Sequence, residues 1–176
     1  MNIRRCIPDD RDYIRDLYLA AFPEEERETV AALAVSLLAG ETSPETLTLV
    51  AELDGKIVGH VAFSPIEDRL DATLRGYLLA PLAVHPDFQK RGIGSELVAS
   101  GLKQLADANT AIAFVYGDPQ FYGRFGFETQ LAERFTPPYT LEYPIGWQAK
   151  PIADPESLPG TASLSCVAAL QDPSLW

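Results

Sequence analysis

The sequence predicts a single domain of the α/β (α+β) class, and three observations carry that expectation. Two stretches rich in β-branched residues, Thr46 to Leu53 and Lys56 to Ile66, flank Asp54-Gly55, the dipeptide that a tight type I′ hairpin turn prefers. An almost continuous apolar run over 74–84 leads through a glycine-containing loop into a helical stripe at Ile93, Leu97, Val98, Leu102 and Leu105. The length, 176 residues with 47% hydrophobic content, suits one core with one appended segment.

The elements follow in order. Residues 2–7 begin β-like. An apolar stripe at Tyr13, Ile14, Leu17, Tyr18 and Ala21 has the spacing of a helix. Pro23 with Glu24, Glu25 and Glu26 reads as the N-terminus of a second helix, which buries Val30, Leu33, Ala34, Leu37 and Leu38 and ends at Gly40. In the run 74–84, Pro81 removes a ladder donor and marks a bulge or a place where the strand parts from its neighbour. Residues 111–116 form another apolar strand. Gly117-Asp118-Pro119 then supplies a turn, an N-cap and an N1 proline for a short helix that stops at Gly126. Residues 136–176 hold seven of the 14 prolines yet keep Trp147, Leu164, Val167 and Trp176. That apolar content predicts an extension packed on the 1–135 core within the same domain, with a strand near 162–170, rather than a free tail.

Charge narrows the function. The formal net charge is -11, a field that disfavours nucleic acid and anionic membranes. No run approaches the ~18 apolar residues of a membrane helix, and the N-terminus shows no signal core, so a cytoplasmic location is expected. Cys6 and Cys166 make neither a CxxC pair nor a framework, and no metal is expected.

The loop Gln89-Lys90-Arg91-Gly92-Ile93-Gly94-Ser95 opens a helix directly after a buried strand. Its backbone N–H groups are the unpaired donors of a helix start, its glycines admit a close ligand, and Lys90 and Arg91 give 85–103 a net charge of +1 in an acidic chain. An anion is the expected occupant. Two nucleotide motifs are excluded by inspection: GxxxxGK[ST] is absent, and GxGxxG fails because Leu97 stands at its last glycine.

Leu82-Ala83-Val84-His85-Pro86 followed by Gln89-Lys90-Arg91-Gly92-Ile93-Gly94 resembles the acetyl-CoA signature [QR]xxGx[GA] of the GCN5-related N-acetyltransferases, the GNAT superfamily. Phe121-Tyr122-Gly123-Arg124-Phe125-Gly126-Phe127 is similar to that family's FYxxxGF segment. The GDPxFYGRFGF stretch and the C-terminal extension look most like a predicted bacterial subfamily with no settled substrate. The resemblance implies a mixed, strongly twisted sheet of about six to seven strands flanked by about four helices, with the strands at 74–84 and 111–116 splayed around the cofactor's pantetheine arm. It also implies acetyl-CoA as co-substrate: backbone groups of Leu82, Ala83 and Val84 at the thioester and pantetheine, and N–H groups of Gln89, Lys90, Arg91, Gly92, Ile93, Gly94 and Ser95 at the pyrophosphate.

In that reading a neutral primary amine attacks the thioester and Tyr122 is the general acid, since a phenol with an ordinary pKa of about 10 is protonated at neutral pH. Tyr122 taken alone reads as a core aromatic beside Phe121, Phe125 and Phe127, and its place in FYGRFGF together with the loop turns the reading toward the acid. Two departures from the family pattern stand out. Residues 74–84 hold no acid, which leaves Glu67, Asp68, Asp118 or a bound water as the base, and Asp118 reads better as an N-cap. The customary Asn before the final helix is replaced by Gly117-Asp118. His60 is set aside as a polar interruption of a strand, and His85 reads as a solvated loop residue. The run Glu24-Glu25-Glu26 with Glu28 reads either as a lure for cationic substrates or as a solvated helix face.

The sequence therefore predicts an acetyl-CoA-dependent N-acetyltransferase acting on a small-molecule or peptide amine. The alternatives are a non-catalytic acyl-CoA-binding sensor or interaction module, and a domain holding another phosphate ligand at the same helix start. A homodimer through the apolar C-terminal segment stays open beside packing on the core.

Overall fold

The hairpin anticipated from Asp54-Gly55 joins β2 (Leu47–Leu53) to β3 (Lys56–Asp68), and both turn residues take positive φ, 49° and 75°, as a type I′ turn requires. The computed structural model describes residues 1–71 and 73–176. These fall into two units: Met1–Phe63 with Ala80–Gly101, and Ser64–Leu79 with Leu102–Trp176.

In the first unit β1 (Asn2–Arg5) runs antiparallel to β2 in the register Asn2↔Glu52 to Arg5↔Leu49, and β2 runs antiparallel to β3 from Leu47↔Phe63. The end of β4 (Gly76–Val84) follows β3, with the His85 N–H donating to Val58 O at 2.9 Å. Helices α1 (Arg11–Ala21) and α2 (Arg27–Ala39) bury Ile14, Leu17, Tyr18, Ala31 and Ala34 together with Val50 and Ala83. Tyr13, expected in the α1 stripe, is 66% exposed, because the buried face is the narrower one through Ile14, Leu17 and Tyr18. The second helix begins four residues later than Pro23: Pro23 O accepts from both Glu26 and Arg27 N–H, closing a turn that delivers the chain to α2.

Helix α3 (Ile93–Asp107) enters this unit through its first nine residues. Gly101 makes the approach to β3 close, since a Cβ there would run into the ring of Phe63.

In the second unit β4 pairs in parallel with β5 (Ile112–Tyr116) over Gly76↔Ile112 to Leu79↔Val115. That ladder ends two residues before Pro81, where the sequence placed a bulge or a parting of the strands. The other edge of β5 pairs antiparallel with β7 (Trp147–Pro151), a strand that the sequence did not announce. β8 (Ala162–Cys166) lies antiparallel to the end of β3 and parallel to the two-residue β6 (Phe135–Thr136), and it is shorter than the expected strand because Ala168–Leu170 forms a 3₁₀ turn. The strand order is β1-β2-β3-β4 in the first unit and β8-β3-β4-β5-β7 in the second.

The fold is thus mixed α/β, with eight strands among the described residues where six to seven were expected. In the second unit's core Phe114 stacks on Trp147 at 5.3 Å with planes 8° apart and meets Phe135 edge-on at 5.1 Å. The buried Trp147 indole N–H donates to Phe135 O at 2.9 Å. The short helices α4 (Pro119–Tyr122) and α5 (Thr129–Ala132) complete this unit. Among the described residues no helix is long and apolar enough to cross a membrane, and no group of three metal-ligating side chains occurs.

Candidate active site

The loop between β4 and α3 lies in the first unit. His85, half-buried, accepts the Asp87 N–H at Nδ1 (3.3 Å) and meets the Phe88 ring edge-on. Arg91 donates to Asp87 O at 2.9 Å and lies over the Phe88 ring at 5.2 Å, which fixes its charge at the loop. Lys103, part of the local positive count, is taken by Asp107 at 2.7 Å, so Lys90 and Arg91 are the cations of the loop itself.

Lys90 and Gly92 hold left-handed backbone, φ 61° and 82°, and this twist turns the chain into α3. The Gln89 N–H donates weakly to Pro86 O at 3.3 Å, and the Gln89 side-chain amide donates to Val84 O at 3.1 Å. Glu96 N–H returns to Gly92 O. Among the described residues, the N–H groups of Lys90 through Ser95 have no backbone acceptor. A Cβ at Gly92 would meet nothing within 4 Å, so this position borders open space.

Upstream, the His85 to Val58 bond fixes which way β4 presents its main chain. Alternation turns the N–H and C=O groups of Leu82 and Val84 away from β3 and those of Ala83 toward it. In agreement, the Ala83 carbonyl sits 3.4 Å from where a Gly59 Cβ would be.

Tyr122 ends α4 in the second unit. Its ring covers Gly117, whose added Cβ would fall 2.6 Å from it, and packs edge-on against Phe121 and Phe127. Burial, and then the nearby Asp118 carboxylate, push the phenol well above the ordinary tyrosine range. The FYGRFGF segment closes with Gly126 at φ 83°, the left-handed stop expected there.

Of the carboxylates considered as bases, Asp118 caps α4 by accepting the Gln120 N–H at 2.9 Å. Asp68 accepts the Leu70 and Ser163 N–H groups, each at 3.2 Å. Glu67 is exposed and opposite Ser165.

The sequence missed a buried polar group in the first unit. His60, set aside as an interruption of the strand, is fully buried, with Nδ1 2.8 Å from the Tyr18 hydroxyl. Its Nε2 has no partner among the described residues. Burial pushes its pKa down to about 3, so the imidazole is neutral. Nearby, Asp10 accepts two bonds from the Arg4 guanidinium (2.7 and 2.9 Å) and one from the Ile7 N–H (2.9 Å). The Arg4 contact holds its carboxyl below the usual aspartate value. A lone histidine in a β-branched run was the one visible signal.

The chain matches known proteins over most of its length. Residues 11–127 match the model of the acetyltransferase (GNAT) family. The uncharacterized N-acetyltransferase YjhQ of Escherichia coli (strain K12) is 33% identical over 157 residues, which is 86% of this chain and 84% of that protein. The uncharacterized N-acetyltransferase YhbS of the same strain is 43% identical over 129 residues, covering 73% and 74%. The crystal structure of E. coli YhbS in complex with CoA superposes with a TM-score of 0.84 over 97% of this chain and 92% of that one, at 29% identity over this longer span. A GNAT family acetyltransferase from Brucella melitensis in complex with acetyl-CoA gives 0.77 at 29% identity, covering 97% of each. A family match over more than half the sequence, and relatives above 30% identity that it spans for most of their length, make this chain a member of the acetyltransferase (GNAT) family and an N-acetyltransferase.

Proposed function

We propose that this chain moves an acetyl group from acetyl-CoA to a primary amine by direct attack on the thioester. The observation that carries this reading is the run of N–H groups from Lys90 to Ser95, without backbone acceptors among the described residues, gathered at the start of a 15-residue helix beside Lys90 and Arg91. Such a run suits a pyrophosphate. Leu82 and Val84 direct main-chain groups away from β3, where the thioester carbonyl and pantetheine amides would pair with them, while the main-chain groups of Ala83 face β3. The two relatives solved with CoA or acetyl-CoA support the same cofactor here.

In the reaction the amine nitrogen bonds to the carbonyl carbon, the C–S bond breaks, and CoA leaves as thiolate. Tyr122 is the donor to that sulfur. Its raised pKa keeps the phenol protonated, and because a thiolate's pKa is only about 8.5 the transfer is uphill, so a hydrogen bond to the developing thiolate is the larger part of its role. Asp68 Oδ1 already holds the Leu70 and Ser163 N–H groups, Asp118 Oδ1 caps α4 and Glu67 is exposed, and we assign loss of the ammonium proton to a water, with Asp118 left to attract the cation.

The test is a thermal melt with saturating acetyl-CoA, with CoA and ATP as controls. Ligand at about 100 times its Kd stabilises by about 2.7 kcal/mol, a shift of several degrees at this size. A shift with acetyl-CoA and CoA but not ATP is expected, and a folded protein that ignores acetyl-CoA would overturn the proposal.

A further inference from the structure

The second unit contains a cavity of about 330 Å³ between the end of β5 and the loop that precedes β7. Its residues include Tyr116, Gly117 and Asp118 on one side and Tyr143, Ile145 and Gly146 on the other. The two sides are tied together. The Tyr143 N–H donates to the Tyr116 hydroxyl at 2.9 Å and the Gly117 N–H to Gly146 O at 2.9 Å. Beneath them the fully buried Gln148 side-chain amide donates to both Gly117 O and Gly146 O, at 3.1 and 3.2 Å.

The main-chain groups of the floor are thus spent on one another, and what remains is apolar wall. Tyr143 and Ile145 are 65% and 71% exposed, an unfavourable placement for two large apolar side chains that line one small cavity. One charge borders it: Asp118 Oδ1 holds the Gln120 N–H, and Oδ2 has no hydrogen-bond partner among the described residues. The cavity also adjoins Tyr122, whose ring lies on Gly117 and whose phenol feels the Asp118 carboxylate.

We infer that this cavity seats the acceptor, a small primary ammonium with an apolar alkyl or aryl body, the ammonium at Asp118 and the body against Tyr116, Tyr143 and Ile145. The inference rests on the acetyl-transfer reading. An acceptor rich in hydroxyls is disfavoured, since its polar groups would lose water and find few partners on these walls. The ammonium gains from the carboxylate and the apolar body from the two tyrosine rings.

The experiment uses 2-phenylethylamine and ethanolamine as probes on the CoA-saturated protein, read at the Ile145 δ1 methyl by NMR. The Ile145 resonance is expected to move with 2-phenylethylamine at concentrations at least about tenfold below those needed for ethanolamine. Asp118→Asn keeps a good helix cap and is expected to weaken 2-phenylethylamine about tenfold. In turnover, Ile145→Ser is expected to raise KM for 2-phenylethylamine about tenfold and leave KM for acetyl-CoA unchanged. An Ile145 methyl that ignores 2-phenylethylamine, or that responds equally to ethanolamine, overturns the inference. So does one that moves on adding CoA alone, which would give the cavity to the cofactor. Failure of the acetyl-transfer reading has a separate signature, absence of the CoA-induced shift in the melt.

Discussion

The Tyr18 hydroxyl and His60 Nδ1 lie 2.8 Å apart, and the imidazole is fully buried. With its pKa pushed from 6.5 to about 3, the folded protein refuses a proton that the unfolded chain accepts, so His60 makes stability fall as pH drops from 6.5 toward 3. Asp10, held below its ordinary 3.8 by Arg4, adds to the loss only as pH falls below that value. Between pH 6.5 and about 4.5 a falling melting temperature is therefore expected from His60, and His60→Phe should flatten that slope. At neutral pH the same variant should lose about 1 kcal/mol as the Tyr18 hydroxyl gives up this contact. Melts across pH compare the two proteins, and an unchanged slope in the variant counts against the assignment.

Gly92 separates folding from binding. Its φ of 82° makes an alanine strained, by about 1 kcal/mol, yet the added methyl meets no protein atom. Gly92→Ala should lower the melting temperature by only about 2–4 °C and, in the proposed site, weaken acetyl-CoA at least about tenfold, because the methyl would stand where the phosphate is proposed to approach. Calorimetric titration with acetyl-CoA checks the second figure.

Gly101 gives the opposite result. A methyl there meets the Phe63 ring, so Gly101→Ala should cost about 1–3 kcal/mol of stability through overpacking between α3 and β3. Denaturant titration with an unchanged slope m and a lower midpoint is the expected record.

Tyr122→Phe should lower kcat by about 10²-fold or more with little change in acetyl-CoA affinity. Because its phenol titrates well above the ordinary tyrosine range, the wild-type enzyme should show no loss of activity from Tyr122 deprotonation up to pH of about 10. A rate profile over pH, followed by released thiol, tests both statements.

What was legible in the sequence was mostly local chemistry. Asp54-Gly55 states its own φ angles, Asp118-Pro119 states a cap and a first turn, and the glycines of the Gln89 to Ser95 loop announce a helix start. What escaped depends on partners distant in sequence. β7 reads Trp147-Gln148-Ala149-Lys150-Pro151, with no alternation, because its first three residues are all buried, and only β5, some 30 residues earlier, makes it a strand. His60 looks like a defect until α1 brings Tyr18 onto it from 42 positions away. The cavity beside Tyr122 was invisible for the same reason, since Tyr143 and Ile145 meet Tyr116 and Asp118 only after β7 is in place.

The stack of Trp147 on Phe114 has an optical consequence. Both tryptophans of the chain, Trp147 and Trp176, belong to the second unit, and their rings lie 6.2 Å apart. Indole emission therefore reports on that unit's aromatic core, whereas far-ultraviolet dichroism is governed largely by α1, α2 and α3, which lie wholly or mostly in the first. A single unlabelled sample heated once thus yields two records of melting, one for each part of the polypeptide.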